Sequence, residues 1–201
     1  MAPLSWHPGS AQAEGPTSME TIRSAGNDDR NEVLSLHAQA FGESEGPVIA
    51  RLVGELLEDE TAQPLLSLLS ERDRRPVGHV LFTRVEIEGK GRAPTEARIL
   101  CPLAVAPEVQ GQGVGDGLVR HALERLADDG VGLVLVLGHP GYYPRFGFQP
   151  AGVEGIHAPY PIEPRNADAW MVVGLAPGLV GEVHGQVRCA RSLAEPAFWR
   201  E

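Results

Sequence analysis

Apolar residues cluster along the chain in two patterns, one typical of strands and one typical of helices. Short apolar runs bounded by glycine, proline or charged residues predict strands. These runs cover residues 20–23, 65–69, 77–87, 97–105, 132–137 and 169–174. The runs at 65–69 and 77–87 flank a charged turn, which predicts an antiparallel hairpin. Pro102 cannot donate to a strand ladder, so we expect a bulge or an unpaired edge near it.

Helical spacing of apolar residues predicts three helices. The first follows capping residues at 27–29 and ends at Gly42. Polar residues 43–46 are expected to form a loop, which places Pro47 in the first turn of the second helix. The third helix covers residues 114–127.

A glycine-dense loop from Gln110 to Gly115 joins the strand at 97–105 to the third helix. The strand at 132–137 follows that helix, so the two strands are expected to pair in parallel with a right-handed crossover. Several backbone N–H groups and the helix N-terminus then face one anionic group. Any Cβ atom in the loop would hold a pyrophosphate away from these amides. The pattern predicts a phosphate-binding site, with a plain glycine-rich turn as the alternative.

The spacing of the glycines separates three kinds of phosphate-binding loop. The dinucleotide motif G-x-G-x-x-G fails because its last position falls on Asp116 or Leu118, which disfavours a nicotinamide oxidoreductase. The nucleotide-triphosphate motif fails because no lysine follows the glycines. The pattern Q-x-x-G-x-G, from Gln110 to Gly115, resembles the acetyl-coenzyme A loop of the GNAT superfamily of N-acetyltransferases.

A second motif strengthens this resemblance. The sequence YYPRFGF at 142–148 is similar to the superfamily's Y-x-x-[LF]-G-F element, in which a helix carries a tyrosine toward the acyl thioester. Tyr143 takes the tyrosine position. Further segments resemble the bacterial YhbS-like subgroup of predicted acetyltransferases, namely 78–82, 102–105, 136–148 and 175–187. The likeness covers roughly residues 20–200.

The resemblance implies an α/β (α+β) fold of three layers. Its central sheet is mixed and mostly antiparallel, with one parallel, splayed strand pair and helices on both faces. Acetyl-coenzyme A is the implied cosubstrate, its pantetheine pairing with the splayed strand and its pyrophosphate lying on the loop. The residues implied in this binding are Leu103, Ala104, Val105, Gln110, Gly111, Gln112, Gly113, Val114, Gly115 and Asp116. No metal is expected.

The resemblance also implies that an amine attacks the thioester directly while both substrates are bound. Tyr143 is the implied acid that protonates the leaving thiolate. Tyr142 is the alternative, because adjacent helical positions point about 100° apart and only one can face the cosubstrate. A backbone N–H near Val105 could stabilise the oxyanion. The interpretation in which both tyrosines only pack stays open, and the acceptor is a small-molecule or peptide amine.

The general base is not determined by the sequence. His139, His79, Glu43 and a chain of water molecules all remain candidates. Glu43 and Glu45 border the amine site by analogy with the superfamily, although solvated loop carboxylates are the simpler interpretation. Cys101 lacks a motif-linked histidine partner, which disfavours a cysteine nucleophile.

The loop departs from the superfamily pattern in its charge. Positions 111, 112 and 116 carry no arginine or lysine, and Asp116 opposes an anion locally. A non-catalytic acyl-coenzyme A-binding or interaction module on the same fold is therefore the alternative function.

Composition and charge indicate which partners and which cellular location to expect. The formal net charge is −10 over 201 residues, which argues against a nucleic-acid partner. An acidic surface suits a cationic amine, but it also keeps a protein soluble. The sequence has no apolar stretch of membrane-spanning length, and its two cysteines lack metal-ligand spacing. A cytoplasmic location without a membrane partner is expected, with a homodimer left open.

Residues 1–18 differ in composition from the rest of the chain. They are rich in proline, glycine, serine and alanine and show no periodicity, which is typical of a flexible extension. We expect a single domain over residues 19–201, a length that can bury a substantial core.

Overall fold

The computed structural model describes residues 20–89 and 95–199. The predicted extension at 1–18 and most of the turn at 89–94 lie outside the described residues. The strands in the described part are β1 (Glu20–Ser24), β2 (Leu66–Arg72), β3 (Arg75–Glu88), β4 (Ala97–Val105), β5 (Leu133–Leu137), β6 (Gln149–Pro150), β7 (Ile156–His157), β8 (Trp170–Gly174) and β9 (Gly185–Arg188). The α-helices are α1 (Arg30–Ala40), α2 (Gly42–Glu58) and α3 (Val114–Asp128).

The central sheet is mixed and mostly antiparallel. Its strand order is β1-β2-β3-β4-β5-β8-β6, and β9 pairs with the end of β3 and with β7. β4 and β5 are parallel, as predicted for two strands joined through a helix. The hairpin of β2 and β3 is antiparallel, and β8 occupies the predicted late strand.

Helices cover both faces of the sheet, which confirms the three-layer fold. A Cβ atom on Gly78 of β3 would touch Val114 and Leu118 of α3, so this position faces α3. The next residue, His79, is hydrogen-bonded to His37 of α1. Because successive strand residues point to opposite faces, α1 and α3 lie on opposite sides of the sheet.

The parallel strands β4 and β5 diverge after a short paired segment. Their pairing runs from Ala97 to Leu100 on β4, and β4 then continues to Val105. Near this point Cys101 and Pro102 of β4 together oppose one residue of β3, Leu81. This bulge confirms the irregularity expected at Pro102. The fork leaves one backbone edge of β4 beyond Leu100 without a strand partner from β5.

The start of the second helix differs from the prediction. α2 begins at Gly42, so the expected loop at 43–46 is helical and Pro47 lies inside the helix. Gly42 has a φ of 73°, which reverses the chain directly after α1. Gly46 then packs against α1 so closely that a Cβ atom would overlap the Ala38 carbonyl. Packing between the two helices therefore decides a boundary that local polarity predicted wrongly.

Candidate active site

A cavity of about 710 Å³ lies where β4 and β5 diverge. It is lined by β4 from Ile99 to Leu103 and by the end of β5 with the residues after it, Leu137 to His139. Tyr142 and Tyr143 also line it. The cavity is also lined by the α1–α2 junction and by the C-terminal segment, where Leu193 and residues 197–199 contribute. The C-terminal contribution was not predicted, because those residues carry no motif and meet the site only through folding.

Tyr143 lies at the cavity at the start of a short 3₁₀ helix, Tyr143–Phe146. Gly147, with a φ of 90°, ends this turn. The Tyr143 ring packs edge-on against Phe148, with centroids 5.6 Å apart, and only 8% of the residue is exposed. The phenol is thus held in one position at the fork.

Tyr142 also lines the cavity, contrary to the expectation that only one tyrosine could face it. The two rings are nearly perpendicular, with centroids 5.1 Å apart. The Tyr142 hydroxyl lies at the start of α3, where a Cβ atom on Gly115 would be 2.7 Å from it. Burial, followed by the charge of Asp116 and a hydrogen bond to it, raises the pKa of Tyr142 above its usual range. Tyr142 therefore connects the cavity to the glycine loop.

The glycine loop has the backbone that the motif requires. Gly111 and Gly113 have φ values of 74° and 90°, and open space surrounds the position of a Cβ atom at each. Val114 begins α3, so the N–H groups of its first turn have no acceptor within the helix. Gln110 braces the loop by donating a 3.1 Å hydrogen bond to the Val105 carbonyl. The result is an open concave surface of amides at a helix N-terminus.

Two arginines from outside the loop contact it, Arg72 while ion-paired with Glu20 and Arg145 while ion-paired with Asp116. Arg72, in the β2–β3 hairpin, donates a 2.8 Å hydrogen bond to the side chain of Gln112. Arg145 forms a 3.4 Å ion pair with Asp116, and its guanidinium lies 4.7 Å from the centre of the Tyr142 ring. No sequence signal marked Arg72, which is 40 positions from its partner. Arg145 could have been found, because it lies inside the second motif.

The remaining predicted cosubstrate residues lie at the fork. Leu103 and Val105 point toward α3, since both side chains would approach a Cβ atom on Gly115. Ala104 is 1% exposed and can offer a ligand only its backbone. The structure thus brings Leu103–Val105 and the loop at 110–116 to adjacent places on one side of the sheet.

Two histidine candidates for the general base are constrained by their hydrogen bonds. His79 is fully buried, and both of its ring nitrogens are hydrogen-bonded. Its Nδ1 lies 2.8 Å from His37 Nε2, and its Nε2 lies 2.8 Å from Ser67 Oγ, so the ring cannot reach an acceptor amine. His139 lines the cavity, but its Nδ1 accepts the N–H of Gly141. In its neutral form this ring therefore carries its proton on Nε2, where it donates rather than accepts.

The structure also shows which predicted carboxylate lines the cavity and why Cys101 is a poor nucleophile. Glu45 lines the cavity, whereas Glu43 is not among its lining residues. Burial and the neighbouring Cys189 raise the pKa of the Cys101 thiol to about 12, which leaves it protonated and poorly nucleophilic.

Residues 20–89 and 95–199 contain neither a metal-binding cluster nor a membrane-spanning helix. No group of three or more His, Cys, Asp or Glu side chains there could hold a metal ion. No helix in those ranges has the length and apolar character needed to cross a membrane.

Comparison with known proteins identifies the family. The model of the acetyltransferase (GNAT) domain matches residues 21–151. The chain is 45% identical over 163 residues to the uncharacterized N-acetyltransferase YjhQ of Escherichia coli K12, covering 81% of this chain and 87% of YjhQ. It is 32% identical over 139 residues to the uncharacterized N-acetyltransferase YhbS of the same strain, covering 69% of this chain and 78% of YhbS.

Solved structures agree with the sequence comparisons. The crystal structure of E. coli YhbS in complex with coenzyme A has a TM-score of 0.79 and 27% identity, covering 92% of this chain and 97% of that one. A GNAT family acetyltransferase from Brucella melitensis, in complex with acetyl-coenzyme A, has a TM-score of 0.68 and 25% identity, with coverages of 88% and 99%. The predicted fold and the predicted likeness to YhbS are confirmed, and the chain belongs to the GNAT family of acetyltransferases.

Proposed function

We propose that this protein transfers the acetyl group of acetyl-coenzyme A to a primary amine by direct attack. One observation carries the proposal: a cavity at the fork of β4 and β5 adjoins an open glycine loop at the N-terminus of α3. Two structurally similar proteins, from E. coli and B. melitensis, hold coenzyme A and acetyl-coenzyme A. The cytoplasmic location and a homodimer remain predictions from the sequence.

The cosubstrate would bind on the α3 side of the fork. The backbone of Leu103, Ala104 and Val105 offers a free edge for amide groups of pantetheine. The loop amides from Gly111 to Asp116 would receive the pyrophosphate at the helix N-terminus. Two glutamines, Gln110 and Gln112, would act by bracing the loop, because their side chains bond the carbonyls of Val105 and Glu108.

Arg72 and Arg145 complete this anion site. Arg145 compensates the negative charge of Asp116, which otherwise opposes a phosphate. Arg72 stands at Gln112, at the outer side of the loop. Both guanidinium groups are ion-paired, Arg72 with Glu20 and Arg145 with Asp116, so each would offer a phosphate only its remaining N–H donors.

Bond making and breaking would take place in the cavity. The amine nitrogen, once its ammonium form has lost a proton to water, forms a bond to the acetyl carbonyl carbon. The carbon–sulfur bond then breaks, and the nitrogen loses a second proton to water. The phenol of Tyr143 gives its proton to the departing thiolate and is reprotonated from water. Tyr142 suits this role less well, because its hydroxyl is engaged with Asp116. A backbone N–H near Val105 would stabilise the oxyanion.

Substitution of Gly113 tests the proposal at the loop. In Gly113→Val the side chain would project into the open space above the loop and obstruct the pyrophosphate. We expect acetyl-coenzyme A binding, measured by calorimetry, to weaken by at least about 2 kcal/mol, roughly thirtyfold. Coenzyme A release with an amine panel should fall in parallel.

Gly130→Val is the matched control for this substitution. Gly130 has a φ of 80° and open surroundings like Gly113, but it follows the opposite end of α3. It therefore reproduces the backbone strain without touching the loop, and its affinity should remain that of the parent protein. Unchanged affinity in a folded Gly113→Val variant would refute the cosubstrate site. Tight binding without turnover of any amine would instead support the non-catalytic binding module.

A further inference from the structure

The α1–α2 junction and the C-terminal segment give the cavity an apolar wall. It carries Phe41, Val48, Ile49 and Leu52 from the α1–α2 junction, with Phe198 and Trp199 from the C-terminal segment. Val48 is 42% exposed, and it is one of only two large hydrophobic residues exposed in the described part of the chain. Phe41 and Phe198 are half-buried. A ligand that covers these side chains removes apolar surface from water, which favours binding by about 25 cal/mol per Å².

The C-terminal part of this wall is held firmly in place. The Asp59 carboxylate, at the end of α2, accepts 2.9 Å hydrogen bonds from both the backbone N–H and the hydroxyl of Ser192. Trp199 Nε1 donates to the Leu193 carbonyl, and the Trp199 ring packs edge-on against Trp170. The apolar wall is therefore part of the folded structure rather than a loose tail.

The charged side chains of the cavity limit which charges an acceptor can carry. Among the described residues that line it, Glu45 is the only carboxylate, and none is lysine or arginine. One ammonium group can pair with Glu45, whereas an acceptor bearing a phosphate or carboxylate would meet no lysine or arginine among these residues. A polyamine would place its further ammonium groups against the apolar wall, at a large desolvation cost. Charge and apolarity together match an acceptor with one ammonium group and no other charge.

We infer that the acceptor is a small primary amine on an apolar body of aromatic size, and that Glu45 binds its ammonium group. This inference rests on the proposed acetyl transfer, because it assigns the acceptor side of the same cavity. Phe41, Val48 and Phe198 form the surface against which the apolar body packs. Glu45 selects for an ammonium head group, which gives up a proton to water before its nitrogen lone pair attacks the acetyl carbon at the fork.

A panel of four amines tests the acceptor class. The probes are 2-phenylethylamine, n-butylamine, spermidine and the dipeptide alanyl-alanine, with coenzyme A release as the readout. We expect kcat/KM for 2-phenylethylamine to exceed that for spermidine and for the dipeptide by at least about tenfold. A preference for spermidine or for the dipeptide would overturn the inference, as would the failure of every probe to be acetylated.

Variants at the cavity test the assigned residues. Glu45→Gln should raise KM for 2-phenylethylamine about tenfold and leave the Kd of acetyl-coenzyme A unchanged. Glu43→Gln is the matched control, since Glu43 belongs to the same end of α2 but does not line the cavity, and it should change neither constant. Phe198→Ala should reduce the preference for 2-phenylethylamine over n-butylamine. An unchanged KM in Glu45→Gln would refute the assignment of the ammonium site.

Calorimetry with acetyl-coenzyme A distinguishes failure of the proposed function from failure of the acceptor assignment alone. If the parent protein does not bind acetyl-coenzyme A, the proposed function fails and the acceptor assignment fails with it. If the protein binds acetyl-coenzyme A and acetylates spermidine or the dipeptide in preference, the acetyltransferase function stands and only the acceptor class is wrong.

Discussion

Two adjacent tyrosines have different surroundings although both reach the same cavity. Tyr143 is 8% exposed and packs at the fork of the sheet. The Tyr142 hydroxyl lies against the start of α3, and its ring is covered by the Arg145 guanidinium. The hydrogen bond between Tyr142 and Asp116 stabilises the neutral phenol and raises its pKa, which makes proton donation from it less favourable. Tyr143 stays the proposed acid because of its position in the motif.

Tyr143→Phe should lower the maximal rate of acetyl transfer about 10²- to 10⁴-fold, the usual contribution of a positioned acid. This corresponds to about 3–5 kcal/mol of barrier. Because only the hydroxyl is removed, the ring keeps its packing and the affinity for acetyl-coenzyme A should change little. Steady-state kinetics with an acetylated amine, together with calorimetry, measure the two effects.

Tyr142→Phe is the control and should cost much less activity. If Tyr142→Phe is instead the damaging variant, the two tyrosines exchange roles. If both variants keep the parent rate, the thiolate is protonated by water, and no tyrosine acts as the acid.

At the scale of secondary-structure elements, a buried hydrogen-bonded chain joins α1 to the β2–β3 hairpin. It runs from Ser67 through His79 to His37, with both links at 2.8 Å. Within the described part of the chain, His37 Nδ1 has no hydrogen-bond partner. Burial lowers the pKa of both histidines, and the charge of His37 lowers that of His79 further. These side chains therefore connect the layers as neutral groups.

This chain makes folding stability depend on pH. The pKa of His37 falls to about 4 in the folded protein, below the ordinary value of about 6.5 in the unfolded chain. The unfolded chain then binds protons first on acidification, so stability is complete above about pH 6.5 and declines as pH falls toward 4. The slope approaches about 1.4 kcal/mol per pH unit for each histidine.

Urea denaturation between pH 7.5 and 4.5 measures this dependence. The contribution of Asp29 falls in a different pH range, because hydrogen bonds from Arg23 and from the Gly26 N–H hold the pKa of Asp29 at about 2. Asp29 therefore contributes to the loss of stability only below about pH 4. A free energy of unfolding that stays constant from pH 7 to 5 would contradict the neutral pair.

At the scale of the whole molecule, segments that are distant in sequence build one site. The glycine loop and β4 come from the middle of the chain, Arg72 from the first hairpin, and Phe198 from the C-terminal segment. The protein carries a formal net charge of −10, yet two arginines, Arg72 and Arg145, stand at the loop expected to bind phosphate. Each arginine is paired with a carboxylate, Arg72 with Glu20 and Arg145 with Asp116, so the loop is not a patch of free positive charge.

Removal of residues 1–18 should leave the stability of the domain nearly unchanged. Their composition offers too little apolar surface to offset the conformational entropy lost on ordering. A chain that starts at Met19 should melt within about two degrees of the full chain in calorimetry. A decrease of ten degrees would mean that the extension packs against the domain.

Features encoded in a few neighbouring residues could be predicted from the sequence. β4, α3 and β5 were predicted closely, because apolar periodicity specifies which residues can be buried. The glycine loop could be predicted because Gly111 and Gly113 need a backbone conformation that other residues rarely adopt. The order of two short motifs then sufficed to indicate the family.

Only the tertiary structure decided the features that depend on long-range packing. It set the start of α2 at Gly42 through contact with α1, buried His79 under His37, and brought Glu45 rather than Glu43 to the cavity. It also brought Arg72 to Gln112 across 40 positions and the C-terminal segment to Asp59 across 133. Local periodicity holds no information on such pairs, because they meet only after the sheet and its helices have closed around a common core.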